Sequence, residues 1–251
     1  MIQRLVLAAF AAWLVVSASP ASAGPFDSWA AIVVAGDSHA HSGAPSDVFD
    51  NARRDLAKDL KEMGFAENHI QQYSARPDLD PATMPMHSDA RLIYTNFKRL
   101  TEEATGGCFV YFTSHGAPLG IRVGDSVVTI RAIGDIIDDA CFDRPTVIIV
   151  SACYSGMFIP VLHADNRMIM TAARPDRTSF GCGEANHYTF FDQCVLESVP
   201  MVPNFPALAD KTKDCVAARE KEEGAMPPSE PQLYVGARVQ SLLQTENFSA
   251  N

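Results

Sequence analysis

Two runs carry the residue types that do chemistry. Phe109-Val-Tyr-Phe-Thr-Ser-His115-Gly116 and Val147-Ile-Ile-Val-Ser-Ala-Cys153-Tyr-Ser-Gly156 are apolar, β-branched and aromatic, and each ends on a reactive side chain followed by glycine. An imidazole on one strand tip and a thiol on the next is the pair a sulfur nucleophile needs. His115 takes the S–H proton and later returns it to a leaving group. Each run reads as a buried strand, and a parallel sheet aligns the carboxyl ends of its strands along one edge, where open α/β folds build their sites. The pattern implies a cysteine hydrolase of the peptidase kind, a chemistry that calls for no metal and no organic cofactor.

The other reactive side chains read more plainly. Asp37, His39 and His41 form an H-x-H cluster on a loop at the same edge, a spacing zinc can use, but they read as solvated loop residues. His69, His87, His163 and His187 have no partner visible in sequence and read as structural. Ser155 reads as a turn residue, Arg174 and Arg177 as surface charges, and Lys211 to Glu223 as a solvated helix face.

The elements around the two tips follow from periodicity. Trp29 to Ala35 is a strand ending at Gly36-Asp37. Asp47 to Met63 carries Leu56, Leu60 and Met63 at helical spacing, with Gly64 as the stop. His69 to Tyr73 is a short strand, Pro77 to Pro85 a loop, Ala90 to Ala104 a helix, Gly120 to Val128 a small hairpin and Ile130 to Ala140 a helix. Met168 to Ala173 is a further strand, Asn186 to Val199 and Ala207 to Glu223 are helices, and Pro231 to Gly236 is an edge strand before a frayed end. Alternating strands and helices define an α/β fold with a mainly parallel sheet. No repeat or linker divides it, so residues 24–251 read as one domain with its core at about 29–236.

Arg4, the apolar stretch Leu5 to Val16 and Ala21-Ser22-Ala23 read as a signal peptide over residues 1–23, cut before Gly24. This predicts a periplasmic or secreted protein that is not inserted in a membrane after cleavage. The chain is acidic, with a net charge of −10 and no basic run, which argues against a nucleic acid or an anionic membrane as partner. The partner expected is a peptide or protein substrate; oligomeric state is left open. Export allows disulfides among the six cysteines. Cys108 and Cys141 stand before the two motif strands, where they can pair, while Cys182, Cys194 and Cys215 compete for a second bridge.

At these residues the chain resembles the legumain family of cysteine peptidases, the C13 family of the caspase-like clan. The similar blocks are Trp29 to Gly36, Tyr-Phe-Thr-x-His115-Gly116, Ala152-Cys153-x-Ser155-Gly156, and Thr171-Ala-Ala-Arg-Pro-Asp-Arg-Thr-Ser-Phe-Gly-Cys182. The resemblance spans about Trp29 to Asp192. It implies a caspase-like three-layer fold around a six-stranded sheet, His115 as general base and acid, Cys153 as nucleophile, and the N–H groups of Gly116 and Cys153 as the oxyanion hole. Thr178 and Ser179 fall in the segment that lines the family's S1 pocket, and Asp192 falls on its acidic S1 residue. Where the family has an arginine, a histidine and a glutamate in S1, this chain aligns Phe49, Asp50 and Ser151. Unpaired acids in that pocket imply acceptance of Lys or Arg. Asp47 aligns with the asparagine that orients the family's histidine, a role a carboxylate can fill. The same dyad implies a transpeptidase if an amine resolves the acyl-enzyme, and a catalytically silent binding module is the reading from another class.

Overall fold

A computed structural model describes residues 24–249; the expected signal peptide lies outside the described residues. In chain order the strands are β1 (Trp29–Ala35), β2 (Ile70–Ser74), β3 (Met86–His87), β4 (Gly107–Thr113), β5 (Gly116–Ala117), β6 (Gly120–Val123), β7 (Ser126–Thr129), β8 (Thr146–Ser151), β9 (Arg167–Thr171) and β10 (Gln232–Val235). The helices are α1 (Val48–Met63), α2 (Ala90–Glu103), α3 (Ile130–Cys141), α4 (Ile159–Leu162), α5 (Phe190–Ser198), α6 (Phe205–Glu222) and α7 (Ala237–Thr245).

The main sheet has seven strands in the order β10-β9-β8-β4-β1-β2-β3, parallel throughout except for β10. Six strands are expected from sequence; the seventh is two-residue β3, too short to show as a periodic run. Strands β1, β4, β8 and β9 are buried along their whole length, as strands covered on both faces must be. Alternate residues feed two cores. Ala31, Val33, Phe109, Tyr111, Val147 and Ile149 pack on the layer holding α1, α5, α6 and α7. Ala30, Ile32, Val34, Val110, Phe112 and Ile148 pack on the layer holding α2, α3 and α4. This is the three-layer α/β arrangement.

Local chemistry sets the helix ends. Thr129 and Thr189 accept the N–H groups of Ala132 (3.2 Å) and Asp192 (3.0 Å), starting α3 and α5. The cap at Thr189 explains why α5 begins at Phe190 and not near Asn186. Gly64 closes α1 at φ +105°, a conformation that favours glycine. The first part of the C-terminal stretch expected to fray belongs instead to α7, anchored by buried Val239 and Leu243.

Cys108–Cys141 ties the sheet to a helical layer, joining the start of β4 to the end of α3, and Cys194–Cys215 joins α5 to α6 within the other layer. Cys153 and Cys182 are free thiols. The chain order reverses between β1 and β4: β2 and β3 extend the sheet one way, β8 and β9 the other. The crevice beyond the carboxyl ends of β1 and β4 is therefore a topological switch point, where open α/β sheets bind ligands.

Candidate active site

Beyond β4 and β8 the chain keeps its pairing, with the Ser114 N–H donating to the Ser151 carbonyl at 3.1 Å, so the two tips leave the sheet side by side. Gly116 then runs against the nucleophile turn. A Cβ there would lie 2.1 Å from the Cys153 carbonyl oxygen and 2.9 Å from the Ala152 Cβ, a space only glycine fits.

The Gly116 N–H is free of its own hairpin. The Arg122 N–H donates to the His115 carbonyl at 2.9 Å, which makes 115 and 122 a bonded antiparallel pair and leaves Gly116 opposite Ile121 in an unbonded one. Among the described residues the Cys153 N–H has no hydrogen-bond partner either. Two backbone donors without a partner among the described residues thus belong to residues that meet at the nucleophile turn. The next residue, Tyr154, sits at φ +59°, in the left-handed region that non-glycine residues rarely occupy. Ser155 is fully buried, and its hydroxyl accepts the Ala173 N–H at 3.1 Å, which pins the turn.

The thiol is half-buried against Ser179. The Ser179 N–H donates to the Cys153 sulfur at 3.3 Å, and the Ser179 hydroxyl and carbonyl lie 3.6 and 3.7 Å from it. Thr178 is exposed beside it. Ser151 is buried, its hydroxyl 3.4 Å from that of Thr189. Cys182 packs by Phe49, and burial, then the nearby Cys153, pushes its thiol pKa up.

The His115 ring is held by groups that carry no sequence signal. Its Nε2 donates to the His39 backbone carbonyl at 3.0 Å, which fixes the hydrogen on that nitrogen and leaves Nδ1 as the proton-accepting atom of the neutral ring. The Phe49 ring stands edge-on to it at 5.1 Å. No hydrogen bond joins the ring to the Cys153 thiol among the described residues.

Three sequence expectations are corrected here. Asp47 does not orient His115: its exposed carboxylate accepts from Arg76 at 2.6 Å, and the His39 carbonyl holds the ring instead. Asp50 is no unpaired S1 acid, because its two oxygens accept from Arg53 Nε (2.9 Å) and the Ser74 hydroxyl (3.0 Å). Arg53 is itself fully buried and bridges Asp50 to Asp80. Asp192 is sealed beneath the site, not exposed in it. The Tyr111 and Thr113 hydroxyls, alternate residues on one face of β4, each donate to it at 2.6 Å. Burial pushes its pKa up, and the hydroxyls of Thr113, Tyr111, Ser151 and Thr189 oppose that rise.

Asp37, His39 and His41 come together with Ala40, Gly43, His115 and Arg122 around a cavity of about 370 Å³. Among the described residues no group of three or more His, Cys, Asp or Glu side chains is arranged to hold a metal ion. Arg174 pairs with Asp176 and Glu230, and Arg177 with Asp176.

A thiol and an imidazole on adjacent parallel-strand tips of a helix-flanked sheet define a caspase-like architecture. The fold is similar to the crystal structure of caspase-1 from Spodoptera frugiperda, with a TM-score of 0.60 and 16% identity, covering 85% of this chain and 88% of that one. Residues 85–199 match the Peptidase C13 family, a segment that contains both His115 and Cys153. None of the curated proteins matches the chain. The C13 segment and the caspase-like fold together support a function of the cysteine-peptidase type.

Proposed function

We propose that the protein is an exported cysteine endopeptidase that cleaves peptide bonds through Cys153 and His115 by way of a covalent acyl-enzyme. The observation that carries this reading is the close approach of Gly116, whose N–H is free of its hairpin, to the backbone of Cys153, whose own N–H has no partner among the described residues. The Cys153 sulfur attacks the scissile carbonyl carbon as its proton passes to His115 Nδ1. The oxyanion rests on the Gly116 and Cys153 N–H groups, donors that need no reorganisation as charge develops. His115 then protonates the leaving amine, the C–N bond breaks, and water hydrolyses the thioester with His115 as base. The His39 carbonyl steadies the imidazolium formed on the way, as a third member of the set.

The residues beside the thiol, Ser179 and Cys182, are uncharged, while the acids of Asp50 and Asp192 are taken up by Arg53 and by buried hydroxyls. This favours an uncharged P1 residue over the Lys or Arg expected from sequence. Two disulfides suit an oxidising compartment, in keeping with the leader-like residues 1–23.

The test is hydrolysis of P1 coumarylamides (Asn, Ala, Asp, Lys, Arg) by the chain from Gly24 onward, beside Cys153→Ala, under mild reducing conditions. Cleavage of Asn or Ala substrates, lost in the variant, is expected. Equal cleavage by both proteins would sink the thiol mechanism, and preference for Lys would sink the uncharged pocket.

A further inference from the structure

The cavity at the switch point is not used by the chemistry above, apart from the His115 ring on its wall. Its position has a chemical meaning. Along the sheet the order is β8, β4, β1, so the tips run Cys153, His115, then the Asp37–Gly43 loop. The general acid faces the leaving nitrogen, and the thiol is on its other flank. A cavity beyond His115, away from the thiol, therefore lies on the path of the leaving half of a substrate.

The lining of that cavity holds a free donor group, the Arg122 fork. Asp37 is almost fully buried, and its carboxylate is already committed. Oδ1 accepts from the Ser38 N–H (2.7 Å), the His39 N–H (3.2 Å) and His39 Nδ1 (2.9 Å), and Oδ2 lies 3.0 Å from Arg122 Nε. Asp37 acts here as an anchor that sets the His39 ring and the Arg122 guanidinium. Arg122 meets Asp37 only as an ion pair at Nε, which lacks hydrogen-bond geometry there; its two terminal amino groups have no partner among the described residues, and its side chain is 39% exposed. Gly36 abuts this strand so closely that a Cβ would lie 2.1 Å from the Arg122 carbonyl, which fixes the base of the arginine. The His41 ring stands 6.4 Å from that of His115 on the same wall. A guanidinium with a free fork matches a carboxylate, and it does so in a chain whose net charge of −10 would otherwise repel one.

We propose that this cavity binds a carboxylate on the leaving-group half of the substrate, with Arg122 as the residue that reads it. The inference rests on the peptidase reading above. Two sources supply the same chemistry: an acidic side chain at P1′ or P2′, or the free C-terminus of a short leaving peptide.

Quenched peptides sharing one P4–P1 sequence separate them. One arm compares Asp or Glu with Asn or Gln at P1′ and P2′; the other compares a C-terminal acid with the amide two residues beyond the cut. In one arm kcat/KM is expected to favour the acid by about fivefold, the scale of a half-exposed bidentate pair. Arg122→Gln brings that ratio to within about twofold of unity, and Arg122→Lys, which keeps charge but loses the fork, retains part of it.

A second measurement needs no turnover: calorimetric binding of leaving-half peptides, acid against amide, to Cys153→Ala with and without Arg122→Gln. Equal kcat/KM and equal affinity for acid and amide would overturn the proposal, as would an acid preference that survives both Arg122 variants. Cleavage of a P1 coumarylamide, which has no leaving-side residue, tells the two readings apart. If it is cleaved while acid and amide are equal, the carboxylate site falls alone. If it is not cleaved while Arg122-dependent acid binding persists, the peptidase reading falls and the site stands.

Discussion

Gly116→Ala tests the proposed oxyanion hole at its tightest contact. The new Cβ would start 2.1 Å from the Cys153 carbonyl oxygen, 2.9 Å from the Ala152 Cβ and 3.1 Å from the Cys153 carbonyl carbon. Ordinary contact begins near 3.4 Å, so the two tips must part by more than about 1 Å, and the obstacle is backbone with no rotamer to turn aside. A displacement of about 1 Å at reacting groups costs on the order of 10²-fold, and losing one oxyanion donor costs about 10²–10³-fold, or roughly 2.7–4 kcal/mol. Overpacking lowers stability by about 1–3 kcal/mol, which a protein of ordinary stability survives. The expected result is a kcat/KM down by at least about 10²-fold, chiefly in kcat, on the best P1 coumarylamide. Alkylation of Cys153 by iodoacetamide, which forms no oxyanion, should keep its rate within a few-fold, and a urea titration should show a folded protein. A folded Gly116→Ala that keeps kcat/KM within about threefold of the parent, where the same clash calls for about 10²-fold, would refute the oxyanion-hole assignment.

Further outcomes follow from the rest of the structure. The native, unreduced protein should titrate two thiols, Cys153 and Cys182, and the double replacement Cys194→Ala/Cys215→Ala should lose about 3 kcal/mol in urea, the loop-closure scale for a separation of 21 residues. Asp59 lies in a cavity with Met63, Leu196, Val199 and Phe248; burial, then Glu62 and Asp55, lift its pKa to about 7, with Lys58 opposing. A raised carboxyl contributes stability that is full below pH 4 and lost as pH rises through about 7, so Asp59→Asn should gain about 1–2 kcal/mol at pH 8 and nothing at pH 4. The full shift would give about 4 kcal/mol, reduced because the cavity opens to water. At Asp80 burial acts to raise the pKa, but hydrogen bonds from Thr83 and Arg53 and the Arg53 charge outweigh it and hold the group at about 2. Its stabilisation is present above about pH 4 and lost as pH falls through about 2, an acid limb that should vanish in Asp80→Asn. Arg53→Met, which strands Asp50 and Asp80, should cost about 3–5 kcal/mol by thermal or urea unfolding.

What could be read from the residues was what residue types encode. Strand tips ending in His115-Gly116 and Cys153, the spacing of Leu56, Leu60 and Met63, and the stop at Gly64 are all side-chain signals, and the elements stand within a few residues of where those signals place them. The contact that holds His115 was illegible because it is a backbone carbonyl, and every residue has one. Asp47 aligns by register with a histidine-orienting residue, yet the partner it meets, Arg76, arrives from a loop 29 positions on. Asp192 was legible as an acid near the site but not as a buried one, since Tyr111 and Thr113 reach it from a strand some eighty positions earlier. Sequence left three cysteines competing for the second bridge, and the packing of α5 on α6 brings Cys194 to Cys215. Helix α7 leaves little signal in the sequence, because only Val239 and Leu243 are buried in it and no polar side chain caps its start.

The Cys108–Cys141 bridge encloses the whole stretch that carries His115, Gly116 and the small hairpin. The exposed tip of that stretch, Ala117 to Leu119, with Leu119 79% exposed, is the kind of site a protease nicks first. A cut there would yield two chains, one ending just after the imidazole and the other carrying the thiol. They would remain one covalent molecule, running at full mass on a non-reducing gel and separating only when a reductant opens the bridge.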